Sequence, residues 1–193
     1  MKRLLLLCLT FVMCLGFMEA AGPDAEPGKP EYTTDNRLRL PKKFREWIFL
    51  SSGLGMSYSP GGMDHQMFTN VFVPQWAYAK FVQSGKWPDK TVFVVEERYS
   101  ETKGSINKDG HFQADVMGYG VEVKDETRFP EKWAYFSFDE TMKPAEANPK
   151  AGCWQCHEDH AAVEHSFVQF YPTLKPVAKK FGTYRQAAEE PTN

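Results

Sequence analysis

Two periodicities divide this chain. Phe68-Thr69-Asn70-Val71-Phe72-Val73 alternates with the two-residue period of a strand, and Pro74 ends it. From Gln75 to Ser84 the period changes: Trp76, Ala77, Tyr78, Phe81 and Val82 fall at helical spacing, and Gly85 stops the helix. Thr91 to Ser100 returns to alternation, with Val92, Val94 and Glu96 on one face and Phe93, Val95 and Glu97 on the other. Lys103 to Gly110 is a polar turn. His111 to Val123 is a strand interrupted by Gly118 and Gly120, which predicts a bulge or a close approach by another group. Trp133 to Phe138 is an aromatic strand. Upstream, Pro41 suits the first turn of a short helix over Lys42 to Glu46, and Trp47 to Ser52 reads as a buried strand. After a proline-rich loop, 144–149, helices extend to about Tyr184. Strands first and helices last argue an α+β fold, mainly an antiparallel β-sheet with packed helices.

The ends differ in composition. Lys2 and Arg3 precede a short apolar run, Leu4 to Phe17, and the small residues Ala20, Ala21 and Gly22 follow, as in a secretory signal peptide over 1–21. Residues 22–39, rich in Pro, Gly, Asp and Thr, read as a flexible linker. The domain then spans 40–184, and 185–193 is a polar tail. A net charge of -2 gives no electrostatic reason for nucleic-acid binding. Aromatic residues make up 15% of the chain, which suits a pocket around a large flat cofactor.

Cys153-Trp154-Gln155-Cys156-His157 carries the strongest chemistry. This C-x-x-C-H spacing is the attachment signature of a c-type haem. One helical turn separates the thiols, so both reach vinyl groups on one side of a porphyrin, and His157 is placed to bind the iron. The competing readings are a disulfide, a redox C-x-x-C, or a zinc site of Cys153, Cys156, His160 and His165. The short loop and an idle His157 count against zinc, and no βαβ context supports a thioredoxin-like motif. Cys8 and Cys14 would leave with the signal peptide, so the mature chain keeps only the two motif cysteines. Export and covalent attachment of one haem c agree, and both favour the periplasm.

A set of pieces also resembles the cytochrome P-460 family, which includes the cytochromes c′-beta. They are Leu40-Pro41 with Phe44-Arg45-Glu46-Trp47; Val71-Phe72-Val73 with Tyr78 and Gly85; and Thr91-Val92 with Glu96. Val123-Lys124-Asp125, Arg128-Phe129, Trp133-Ala134 and Phe167-Val168-Gln169-Phe170-Tyr171-Pro172-Thr173-Leu174 complete the set. The resemblance implies a mainly antiparallel fold, usually a homodimer, with one haem c held at Cys153 and Cys156, His157 on the iron, and an open opposite face. Its members oxidise hydroxylamine in some cases and bind nitric oxide or other small gases in others. The hydroxylamine-oxidising members carry a ring-linked lysine where Val95 stands, and a distal glutamate in a G-x-E stretch where Gly118-Tyr119-Gly120 stands. Glu122, two residues on and on the same strand face as Gly120, is a candidate substitute. Lys90 and Lys103 read as solvated turn lysines.

Phe93, Val95 and Gly120 are therefore the candidates for the distal pocket, with Phe68 and Phe72 behind them. A lining of Val, Gly and Phe predicts an apolar pocket that favours small uncharged ligands. Three functions follow for comparison. The first is a five-coordinate haem protein that binds a small gaseous or nitrogenous ligand such as nitric oxide. The second is a hydroxylamine-oxidising enzyme. The third is a six-coordinate electron carrier, which needs a distal ligand from Met56, Met63, Met67, Met117 or His65. A redox partner protein goes with the last two.

Overall fold

The computed structural model describes residues 27–57 and 66–189. The expected signal peptide, and Met63 and His65, lie outside the described residues. Five strands form one antiparallel sheet in chain order: β1 (Ile48–Leu54), β2 (Met67–Val73), β3 (Val92–Glu101), β4 (Phe112–Lys124) and β5 (Trp133–Phe138). Three short helices accompany it: α1 (Gln75–Ser84), α2 (Cys153–His160) and α3 (Lys175–Lys180). The α1 boundaries follow from its caps. Pro74 opens it, and Gly85 takes the left-handed φ of 68° while donating its N–H to the Phe81 carbonyl at 2.7 Å.

The sheet is buried on both faces. On the front, Phe93 packs with Phe81 and Trp87 beneath α1, and with Trp133, Tyr171 and Leu174. On the back, Val92 and Val94 join Val121, Val123, Phe136 and Phe44. The alternation along β3 thus feeds two separate cores. Of the two glycines of β4, Gly118 acts as the sequence predicts, whereas a Cβ at Gly120 would make only an ordinary contact with Val95. The β3–β4 register shifts beside Gly118, and a Cβ at Gly118 would lie 2.9 Å from the Phe138 carbonyl oxygen.

The back face gets its cover from an unexpected source. The segment read as a flexible linker is ordered from Pro27 onward. Leu38 is fully buried and exchanges backbone hydrogen bonds with Ala145, at 2.8 and 2.9 Å. Composition hid this, because only Tyr32, Leu38 and Leu40 carry the packing. The short helix after Pro41 is a single 3-10 turn, Phe44–Glu46, entered through Lys43 at φ 58°. Lys90 is not a solvated charge: its ammonium bonds Asp125 and, at 2.8 Å, Thr127. The tail also differs from a loose end up to Glu189, whose carboxylate takes Lys175 and Lys179 at 2.6 and 2.9 Å.

Candidate functional site

Helix α2 gathers the motif. Positions 153, 156 and 157 are spaced by three and four residues, so the two thiols and the imidazole share one helical face. Cys153 is exposed, Cys156 is half-buried, and the two thiols are not joined to each other. The Asn148 amide donates to Cys153 Sγ at 3.5 Å and to Ser137 Oγ at 2.9 Å, tying the start of α2 to β5. The His157 ring lies 4.3 Å from the Tyr135 ring and 4.4 Å from the Phe167 ring, centroid to centroid. Its Nδ1 stands 2.7 Å from the His165 carbonyl, a contact that requires the proton on Nδ1. Nε2 is therefore the lone-pair nitrogen, and it faces the sheet.

Between α2 and the sheet runs a cleft of about 370 Å³. Strand register explains its shape. Ser51, Val71, Val95, Gly120 and Ser137 are cross-strand neighbours on five successive strands, and all line the cleft. This row of small side chains is its floor. The next row, Phe93, Glu122 and Tyr135, rises toward the core. On the other side Thr69 pairs with Glu97, and Met56 and Met67 close the far end. Phe167, Phe170 and Tyr171 form the wall beside α2. A second concavity, of about 460 Å³, lies by the N-terminal segment between Lys29, Arg39 and Trp47, and none of the motif residues reaches it.

Two carboxyl groups face this cleft. Glu122 Oε1 lies 3.7 Å from His157 Nε2, and Glu122 Oε2 is buried with no hydrogen-bond partner. Burial pushes the Glu122 carboxyl up to about 8. Burial also pulls the His157 imidazole down to about 4, against the opposing effect of its hydrogen bond to His165. Both groups are thus mainly uncharged at neutral pH, and their contact is not an ion pair. Glu97 is also pushed upward by burial. It sits four residues along β3 from Phe93, the partner of Glu122, which is about 14 Å at about 3.4 Å per residue.

The expected site residues separate. Val95 and Gly120 are neighbours on the floor, on the same side as Cys153 and His157. Phe93 is not a wall of the cleft. It is fully buried between Trp87 and Trp133 and is absent from the lining, although Glu122 and Tyr135 of the same row reach the cleft. Phe68 is outside the lining, and Phe72 packs in the back core. The lining is mainly apolar, as expected, but Glu97, Glu122, Thr69, Ser51 and Ser137 share the surface. The zinc set does not assemble: among the described residues no three His, Cys, Asp or Glu side chains converge as metal ligands. His165 instead takes Glu158 at 3.0 Å. Sequence reasoning passed over Glu97, Tyr135 and Asn148. Glu97 had a usable signal, since it alternates onto the Val95 face.

The fold and the cleft define a mixed α+β protein: a five-stranded antiparallel sheet, a few short helices, and two thiols with a half-buried imidazole over the sheet. A family model, Cytochrome P460, matches residues 41–168, more than half of the chain, and the chain belongs to that family. No curated protein matches it. The match ends at Val168, before Tyr171 and Leu174, which nevertheless fill the front core.

Proposed function

We propose that this protein carries one haem c, joined through Cys153 and Cys156 and held on His157, with the opposite side open to a small ligand such as nitric oxide. The observation that carries the reading is the orientation of His157. Its Nδ1 is committed to the His165 carbonyl, which leaves the Nε2 lone pair aimed into a cleft floored by small side chains. The donor set agrees, with unpaired thiols one turn apart on the face that holds the imidazole. Cleft size agrees too, falling within the roughly 300–1,000 Å³ of cofactor sites. The haem would supply an iron able to change oxidation state and to take a ligand. The chain's own residues would do the rest. Tyr135 and Phe167 restrain the imidazole, Val95 and Gly120 leave room, and neutral Glu122 offers a hydrogen bond near the metal side of His157.

Among the described residues, Met56 and Met67 give the electron-carrier reading no support. Met56 and Met67 sit at the far end of the cleft. Met67 is six residues along β2 from Val73, or about 20 Å from the row that carries Glu122. The hydroxylamine-oxidising reading gains one observation, the buried Glu122 carboxyl 3.7 Å from Nε2. It stands in for the glutamate that position 120 lacks and could move a proton to or from a bound N–H or O–H. Export to the periplasm, a homodimer and a redox partner belong to this proposal through the motif and the family.

Purified, exported protein tests it directly. The expected results are a mass gain of one porphyrin, a high-spin ferric spectrum, and nitric oxide binding on reduction. Low-spin spectra in both oxidation states, with added ligands rejected, would defeat the open-site reading. Steady electron transfer from hydroxylamine, lost in Glu122→Gln, would promote the enzyme over the binder.

A further inference from the structure

The carbonyl that orients His157 belongs to a tight turn with its own supports. His165 lies between Val163 and Ser166, which pair across the turn. Ser166 N donates to the Val163 carbonyl at 2.9 Å, and Val163 N donates back to the Ser166 carbonyl at 3.3 Å. Glu164, at the corner, holds φ at 50°, a left-handed conformation that a glutamate adopts only when its surroundings impose it. Two buried side chains impose it here. The Lys124 ammonium, on a side chain 8% exposed, donates to Glu164 Oε2 at 2.9 Å and to the Trp87 carbonyl at 2.7 Å, with Glu126 at 3.5 Å. The indole N–H of Trp87 donates to Ser166 Oγ at 2.6 Å, and that hydroxyl donates to the Val163 carbonyl at 2.8 Å. Trp87 therefore grips the turn from both sides, through its own indole and through Lys124. Tyr135 OH adds a longer contact, 3.4 Å, to the His165 carbonyl itself.

We infer that Lys124 and Trp87 are positioning residues for the His157 imidazole: by fixing the Glu164–Ser166 corner they hold the His165 carbonyl on Nδ1–H and so set the electron donation of Nε2. The inference rests on the haem reading above. A firmly held acceptor on Nδ1 makes the imidazole a stronger donor and favours ferric iron. A buried ammonium commits its charge at this turn, and the turn meets the His157 imidazole through the His165 carbonyl. The two residues come from the loop before β3 and from the end of β4, so the sheet itself sets the ligand's orientation.

The test uses haem-loaded protein with Lys124→Met and, separately, Ser166→Ala, which removes a single hydroxyl. The readouts are the midpoint potential and the iron–histidine stretching frequency of the ferrous form, with haem mass as the control. In both variants the ferrous form should gain about tenfold, about 59 mV upward for one electron, and the stretching frequency should fall. Loss of a nearby cation acts the other way, because it favours ferric iron. A lowered potential in Lys124→Met with Ser166→Ala unchanged would overturn the proposal in favour of a plain charge effect. Potentials and frequencies matching wild type in both variants, with only stability reduced, would overturn it in favour of a structural prop. If Lys124→Met fails to accumulate, Ser166→Ala decides by the same readouts. Wild-type protein without covalent haem would sink the haem reading and this inference with it, whereas loaded variants with unshifted potentials would sink this one alone.

Discussion

Phe93→Ala separates a core residue from a ligand-pocket residue. Phe93 has no exposed surface and three aromatic neighbours, with ring centroids at 4.7 Å from Trp87, 6.2 Å from Trp133 and 6.3 Å from Tyr171. Truncating a buried phenylalanine costs about 3–5 kcal/mol through lost transfer energy and the cavity left behind. The edge-to-face contact with Trp87 adds about 1 kcal/mol. The loss should therefore be about 4–6 kcal/mol, against a total of about 5–15 kcal/mol for a domain. With a slope of about 2 kcal/mol/M in urea, the unfolding midpoint should fall by about 2–3 M. Val95→Leu is the complementary change. It enlarges a residue on the cleft floor, so it should slow nitric oxide association while moving the midpoint by less than about 0.5 M. The assays are reversible urea unfolding of the loaded protein and stopped-flow ligand mixing. If Phe93→Ala altered the association rate and left the midpoint in place, while Val95→Leu did nothing to either, the placement of both residues would be wrong.

Three other outcomes follow from the same contacts. Glu122 is protonated more readily in the folded haem-free chain, about 8 against an ordinary 4.5, so its own contribution to stability falls as pH rises through those values, opposed below 6.5 by His157, which is pulled down to about 4 and adds stability as pH rises. At about 1.4 kcal/mol per unit the Glu122 part of the loss by pH 7 is about 3 kcal/mol; in urea titrations of haem-free protein Glu122→Gln should turn the slope more positive than wild type between about pH 5 and 7, and parallel slopes would refute it. A Cβ at Gly120 would meet Val95 Cβ at an ordinary 3.6 Å, so Gly120→Ala should keep normal haem loading by pyridine haemochrome, whereas Gly120→Phe should fill the floor and abolish it. Leu38→Ala should cost about 2–5 kcal/mol in thermal or urea unfolding, a value no flexible linker residue would show.

The elements were legible wherever a period was clean. The α1 helix and β5 match the boundaries read from apolar spacing, and β2, β3 and β4 shift by about a residue or two. Such signals are local, because alternation and helical spacing depend on residues within one element. The linker reading failed for the same reason. Three apolar residues among prolines and charges carry no period, and Leu38 finds its partner at Ala145, more than a hundred positions away. The tail misleads similarly, since Glu189 is held by lysines on α3 rather than by its neighbours in sequence.

The candidate site was legible as a motif and illegible as a surface. The spacing of Cys153, Cys156 and His157 is contained in one helical turn and a residue. The cleft floor is instead a line drawn across five strands, and its membership depends on the register of four strand pairs. Face alternation put Phe93, Val95 and Glu97 on a common side, which is correct, but it contains no information about depth. Depth is decided by where the front helices stop covering the sheet. Trp87, Tyr171 and Leu174 cover Phe93, and the small row at Val95 and Gly120 is where that cover ends. Glu122 lies on the boundary between the two. It is buried like a core residue, yet it faces the lone pair of the only imidazole among the described residues that lines the cleft, so a strand face that seemed to lack a carboxyl supplies one from the adjoining row.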